Sequence, residues 1–125
     1  MSTPTLSVGP AKLNLKLRQG STFAPAPLTY TYDEAGLVPI DLTGYTARMQ
    51  IRDVDSNALL HSLTTEDGGL TLGGAAGTIA LSISATDTAA FEWTTGKYDL
   101  ELVAPSGFVT SLLAGSVVVT AEVTV

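Results

Sequence analysis

Apolar and polar residues alternate along most of this chain. Leu13, Leu15 and Leu17 interleave with Lys12, Asn14, Lys16 and Arg18. Leu28, Tyr30 and Tyr32 interleave with Thr29, Thr31 and Asp33, and Ala47, Met49 and Ile51 with Thr46, Arg48, Gln50 and Arg52. The pattern returns at Ile79, Leu81 and Ile83, again at Tyr98, Leu100 and Leu102, and last at Val117, Val119, Ala121, Val123 and Val125. A period of two puts one set of side chains on one face of an extended strand, whereas a helix needs apolar residues three or four apart. The six runs therefore predict half-buried strands.

Turn chemistry separates the runs. Asp33-Glu34-Ala35-Gly36, Asp53-Val54-Asp55-Ser56-Asn57, Asp67-Gly68-Gly69, Gly73-Gly74-Ala75-Ala76-Gly77 and Ala104-Pro105-Ser106-Gly107 each gather residues that accept positive φ or bond their own backbone. Pro25 and Pro27 cannot donate to a ladder, so pairing of the second strand is expected to begin near Leu28. One window departs from alternation. Ser84-Ala85-Thr86-Asp87-Thr88-Ala89-Ala90-Phe91 offers an N-cap hydroxyl, an early acid and helix-forming alanines. It predicts one or two helical turns over 84–91. The fold expected is all-β: an antiparallel, Ig-like β-sandwich of about seven to eight strands with one short helix. The organisation expected is an extended N-terminal arm over 1–11, then one domain over 12–125. No repeat or linker divides it.

Composition narrows the functional classes. The chain has 125 residues, 45% hydrophobic and only 14% charged, with a net charge of −6. Hydroxyls and small residues replace the missing charges. Six basic residues give no obvious cationic stripe, and four of them fall in two pairs on separate predicted strands, Lys16/Arg18 and Arg48/Arg52. Nucleic acid is therefore not an expected partner. Without cysteine there is no disulfide, zinc ribbon or thiol nucleophile. The N-terminus lacks the charged and apolar regions of a secretory signal, and Val117-Val118-Val119 is too short to cross a bilayer. No membrane partner is expected.

Residues able to carry chemistry are few. His61 is the single histidine and sits among Leu59, Leu60 and Leu63, where it reads as a partly exposed strand residue more readily than as a base. Asp53-Val54-Asp55-Ser56-Asn57 resembles the start of a calcium loop, but Ala58 and Thr64 stand where the sharp-turn glycine and bidentate glutamate belong. Glu66, Asp67 and Glu92 are loop carboxylates that nothing marks as a catalytic pair. The glycines at 73–77 lack the following Lys-Ser/Thr of a phosphate loop. Neither catalysis, metal nor cofactor is expected. Phe91 and Trp93 either plug one end of the sandwich or, where exposed, anchor a contact.

Three stretches carry a resemblance. They are Pro39-Ile40-Asp41-Leu42-Thr43-Gly44-Tyr45-Thr46-Ala47-Arg48-Met49-Gln50-Ile51-Arg52, then 83–90 with Gly96-Lys97-Tyr98-Asp99-Leu100-Glu101-Leu102, then Leu112-Leu113-Ala114-Gly115-Ser116-Val117-Val118-Val119-Thr120. Over residues 13–119 the chain resembles the N-terminal, virion-attaching β-domain of the baseplate upper protein family of tailed phages. That resemblance implies a virion component, made in the host cytoplasm, that docks other tail proteins and forms homo-oligomers. The chain stops where that domain stops, so the expectation is an adaptor or surface subunit. A carbohydrate-binding or adhesion module is the alternative. Within the signature, Leu42 is expected to point inward, Gly44 to take an unusual φ, and Tyr45 to cover the core edge.

Contacts with neighbours are expected through Leu6 and Val8 of the arm, through Trp93 and Phe91, and through Val118 on the C-terminal run. The run Leu112–Val125, long and low in charge, reads as an open sheet edge able to accept an added strand.

Overall fold

The computed structural model describes Thr5–Leu6, residues 11–31 and residues 38–121, with Thr5, Leu6 and Ala11 described in backbone only. Its strands are β1 (Thr5–Leu6), β2 (Ala11–Lys12), β3 (Leu15–Arg18), β4 (Leu28–Tyr30), β5 (Thr46–Arg52), β6 (Leu59–Thr64), β7 (Leu70–Leu72), β8 (Thr78–Leu81), β9 (Thr95–Val103) and β10 (Val109–Thr120). A helix, α1, spans Ala85–Ala89.

The strands form two sheets. One runs β1-β4-β8-β7; the other runs β2-β10-β9-β5-β6, with β3 also on β10. In immunoglobulin letters these are the A-B-E-D layer and a G-F-C-C′ layer edged by the N-terminal strand. The protein is an all-β sandwich of the expected class. Seven strands follow the N-terminal run, which is itself broken into β1, β2 and β3. Pairing is mainly antiparallel. The exceptions belong to that N-terminal run: β1 lies parallel to β4, and β2 and β3 lie parallel to β10.

The alternation read from the sequence is the burial pattern of the strands. Leu15 and Leu17 face inward from β3, Ala47, Met49 and Ile51 from β5, and Tyr98, Leu100 and Leu102 from β9. Met49, Leu100 and Leu113 stand in register across β5, β9 and β10, and Leu100 and Leu113 are inaccessible to solvent. Each such side chain contributes roughly 1.5–3 kcal/mol by leaving water. β10 keeps its strand through a bulge between Ser111 and Leu113, which lets the consecutive Leu112 and Leu113 both enter the core.

The C-terminal strand is not the open edge the sequence suggested. Over residues 113–120, β10 is held antiparallel by β9 on one side and parallel by β2 and β3 on the other, while residues 109–111 pair with β9 alone. The strands bordered on one side only are β1 and β7 in the first sheet, and β6 and the β2–β3 run in the second.

Two local devices complete the sandwich. Ser84 caps α1 by accepting from the Asp87 amide at 3.1 Å. The buried Thr88 hydroxyl donates to the Ser21 carbonyl at 2.8 Å, tying the helix to the loop before β4. At the other end, Asp41 accepts from the Thr43 amide and hydroxyl at 2.9 and 2.6 Å. Leu42 is buried behind this turn, Gly44 takes φ +81°, and Tyr45 packs against the core. The signature segment thus folds as a corner leading into β5.

Candidate functional site

The polar residues singled out from the sequence are mostly occupied in building turns. Asp53 Oδ2 accepts from the amides of Asp55 and Ser56 and from the Ser56 hydroxyl, at 3.0, 2.8 and 3.1 Å. Asn57 follows with φ +62°. The loop that imitates a calcium site is an Asx turn whose leading carboxylate is spent on its own backbone. Asp67 does the same for the turn after β6, accepting from the Gly69 amide at 2.7 Å and the Thr64 amide at 3.1 Å. These bonds favour the ionised form, so Asp53 and Asp67 titrate below the usual carboxylate range, as does Asp41 through Thr43.

His61 lies half-buried on β6, its ring edge-on to Phe91 with centroids 5.2 Å apart. It borders an open cleft of about 310 Å³ with Ser62, Asp67, Ser82, Ser84 and Asp87. Sequence reasoning did not bring Asp87 to this place, because the helix cap and the β6–β7 turn meet only through the crossing between the two sheets. Among the described residues no three His, Asp or Glu side chains converge to hold a metal. Glu66 is exposed and bonded to its neighbour Thr65, while Glu92 borders a different depression with Gln19, Phe91 and Trp93.

The contact residues expected from the sequence fare differently. Phe91 is only 7% exposed and packs against Trp93 with the rings tilted and their centroids 4.9 Å apart, so it is a core residue and offers no free contact surface. Trp93 is half-buried against the core, and its indole N–H has no hydrogen-bond partner among the described residues. Val118 faces outward from β10 at 38% exposure, between Lys16 and Thr95 of the flanking strands. Val8 and the Leu6 side chain lie outside the described residues. Within the segment 1–11 expected as an arm, the backbones of Thr5–Leu6 and Ala11 pair with β4 and β10 of the same chain.

A different residue stands out at the end of the molecule. The hairpin joining β9 to β10 is closed by the Gly107 amide donating to the Ala104 carbonyl at 2.8 Å and the Ala104 amide donating to the Phe108 carbonyl at 2.9 Å. Gly107 takes φ +91°. This tight turn presents Phe108 at 72% exposure, followed by Val109 at 43%. The surrounding loops brace it. A Cβ on Gly44 would stand 3.0 Å from Pro105, and the Leu42 amide donates to the Gly74 carbonyl at 2.9 Å. Pro105 of the hairpin thus rests against the 41–45 corner, which is itself bonded to the 73–77 turn. Phe108 carries no local pattern that marks it as exposed, because the face it takes is set by the register of the hairpin.

No family model matches the chain, and no curated protein matches it. Among solved structures, extracellular domains 3–5 of Drosophila OTK align with 94% of this chain and 38% of theirs, at 20% identity and a TM-score of 0.37. The structure of ICOS in complex with ICOS-L and an anti-ICOS-L VNAR domain aligns over 90% of this chain and 55% of the other, at 12% identity and a TM-score of 0.41. Likenesses this loose carry no argument about what the chain does. The sandwich class rests on the two sheets themselves.

Proposed function

We propose that this protein is a non-catalytic structural domain of a tailed-phage particle, a tail- or baseplate-associated adaptor or surface subunit. Two things support the reading. The first is the resemblance over residues 13–119, whose signature residues occupy fold-making positions: the Asp41–Gly44 corner, the α1 cap and the β9–β10 pair. The second, and the one that carries the assembly part, is the braced hairpin exposing Phe108 and Val109. A large apolar side chain held out on a rigid turn loses little conformational freedom on docking, which is the usual makeup of an interface anchor.

The carbohydrate-binding alternative requires several aromatic rings on one concave surface. Among the described residues Phe108 is the one strongly exposed aromatic, while Tyr30, Phe91 and Tyr98 are buried.

Labelled antibody against this chain, imaged on intact particles, tests the proposal. Decoration of the tail or baseplate is the expected result, and Phe108→Ser should lower incorporation while leaving the melting temperature within about 2 °C. Particles lacking the chain would overturn the virion reading.

A further inference from the structure

All six lysines and arginines of this acidic chain lie on one sheet: Lys12 on β2, Lys16 and Arg18 on β3, Arg48 and Arg52 on β5, and Lys97 on β9. Five have core-facing neighbours along their strands, Leu15, Leu17, Met49, Ile51 and Tyr98, and the exposed Lys12 stands beside Ala114, next to core-facing Leu113, so all six point from the outer face. The sequence separates them by up to 85 positions, and the sheet gathers them.

The registers show how they are arrayed. Arg48 stands opposite Glu101 and bonds it at 2.8 Å, the one salt bridge among the described residues. Arg52 stands directly opposite Lys97, a like-charge pair that costs stability in an isolated sheet. Arg52 is held in place by Gln50 and by the Asn57 carbonyl at 2.9 Å. Both cations border an open trough of about 550 Å³ with Gln50, Asn57 and Asp99. Lys16 and Lys12 continue the surface across β10, beside Val118 and Ala114.

Six cations therefore share these strands with two carboxylates, Asp99 and Glu101, while Asp53, one residue past β5, lies near enough to act on Lys97. The other ten of the chain's twelve acids lie outside these strands. Some cluster where the chain crosses from β6 to β7, with Glu66 and Asp67 exposed on that turn and Asp87 across the cleft. The two surfaces are complementary in sign and lie on different sides of one molecule.

We propose that the outer face of the β2/β3–β10–β9–β5 sheet is a self-docking surface. It receives the acidic β6–β7 flank of a second copy of this chain, with Arg52 and Lys97 at the centre of the contact. Asp99 and Glu101 in the middle of the face disfavour a uniformly charged polyanion and favour a protein surface of mixed sign. Asp53 beyond the end of β5 offsets part of this like-charge pair, and an incoming carboxylate relieves the rest. A contact between two unlike patches is heterologous and propagates, closing into a ring where the rotation allows. The inference rests on the assembly reading above, yet its test uses the purified protein and not the particle.

Sedimentation velocity should show association at low salt that reverses at high salt, because exposed charges are screened. The double variant Arg52→Glu/Lys97→Glu should weaken association at least about tenfold, equivalent to ~1.4 kcal/mol, with unchanged circular dichroism. Glu66→Lys/Asp87→Lys should weaken it similarly. Mixing the two variants restores complementary contacts in both directions, the acidic face of one on the basic flank of the other and the unaltered flank of the first on the unaltered face of the second, so co-assembly in a one-to-one ratio should reappear. A wild-type protein that stays monomeric at low salt overturns the proposal, even if antibody still decorates the particle. So does a mixture that fails to associate, or a wild-type protein that binds heparin or duplex DNA but not itself.

Discussion

The Tyr98 hydroxyl donates to the Leu13 carbonyl at 2.5 Å, and the same carbonyl occupies the space where a side chain at Gly115 would lie. Ile51, Tyr98 and Gly115 form one core-facing row across β5, β9 and β10. The row ends in a glycine because the N-terminal strand crosses there. Tyr98→Phe removes the bond and leaves a carbonyl short of a partner, so a loss of about 1–2 kcal/mol is expected in urea denaturation. Gly115→Ala must push the Leu13 backbone away and should cost more, about 1–3 kcal/mol. Burial raises the Tyr98 phenol well above its ordinary range. The neutral form belongs to the folded state, so this contribution is complete below about pH 10 and is lost as pH climbs from there towards the folded value. Absorbance titration should find one tyrosine resisting ionisation until the protein unfolds. The aspartates behave oppositely. Asp41, Asp53 and Asp67 are held below the usual range by turn hydrogen bonds. Their support is present above about pH 4 and fades as pH falls through the lower folded values. Asp53→Asn should therefore flatten the acid limb of a stability-versus-pH curve.

Among the elements, α1 was readable because its signals are local. A hydroxyl at Ser84 and an acid at Asp87 mark a helix start wherever they fall, and Ser84→Ala should cost about 1 kcal/mol by urea titration. Strands β3, β4, β5, β8 and β9 were legible for a similar reason, since a half-buried strand writes its period into its own residues. β7 was not, because Leu70–Leu72 is too short to display a period between the glycines around it. The C-terminal run shows its alternation only from Val117 and is bounded in sequence at Leu112, yet β10 begins at Val109, and the bulge at Leu112 and Leu113 hides the first half of its alternation. Its neighbours were misread altogether. A strand's own residues report which face is buried, not which strand lies beside it, and low charge makes a strand paired on both sides over 113–120 look like an open edge. The site was less legible than the fold. Phe91 was noticed for its type and proved to be core, whereas the exposure of Phe108 is set by the register of the hairpin.

For the molecule as a whole, charge is the property that sequence order conceals. Lys16/Arg18 and Arg48/Arg52 read as two unrelated pairs because β3 and β5 are far apart in the chain, and only the strand order places them on a common face. The same order has a mechanical consequence. The N-terminal strand runs parallel to the last one, with Leu15 beside Val117 and Arg18 beside Thr120. Tension applied between residue 12 and residue 120 pulls these strands along their length in opposite senses. Their cross-links, including the Leu13 amide to the Ala114 carbonyl and the Ser116 amide to the Asn14 side chain, are then loaded together in shear. An antiparallel hairpin pulled open at its ends yields one bond at a time. A parallel clamp yields only when all of its bonds stretch at once, so the domain is built to resist extension along the axis joining its first and last strands.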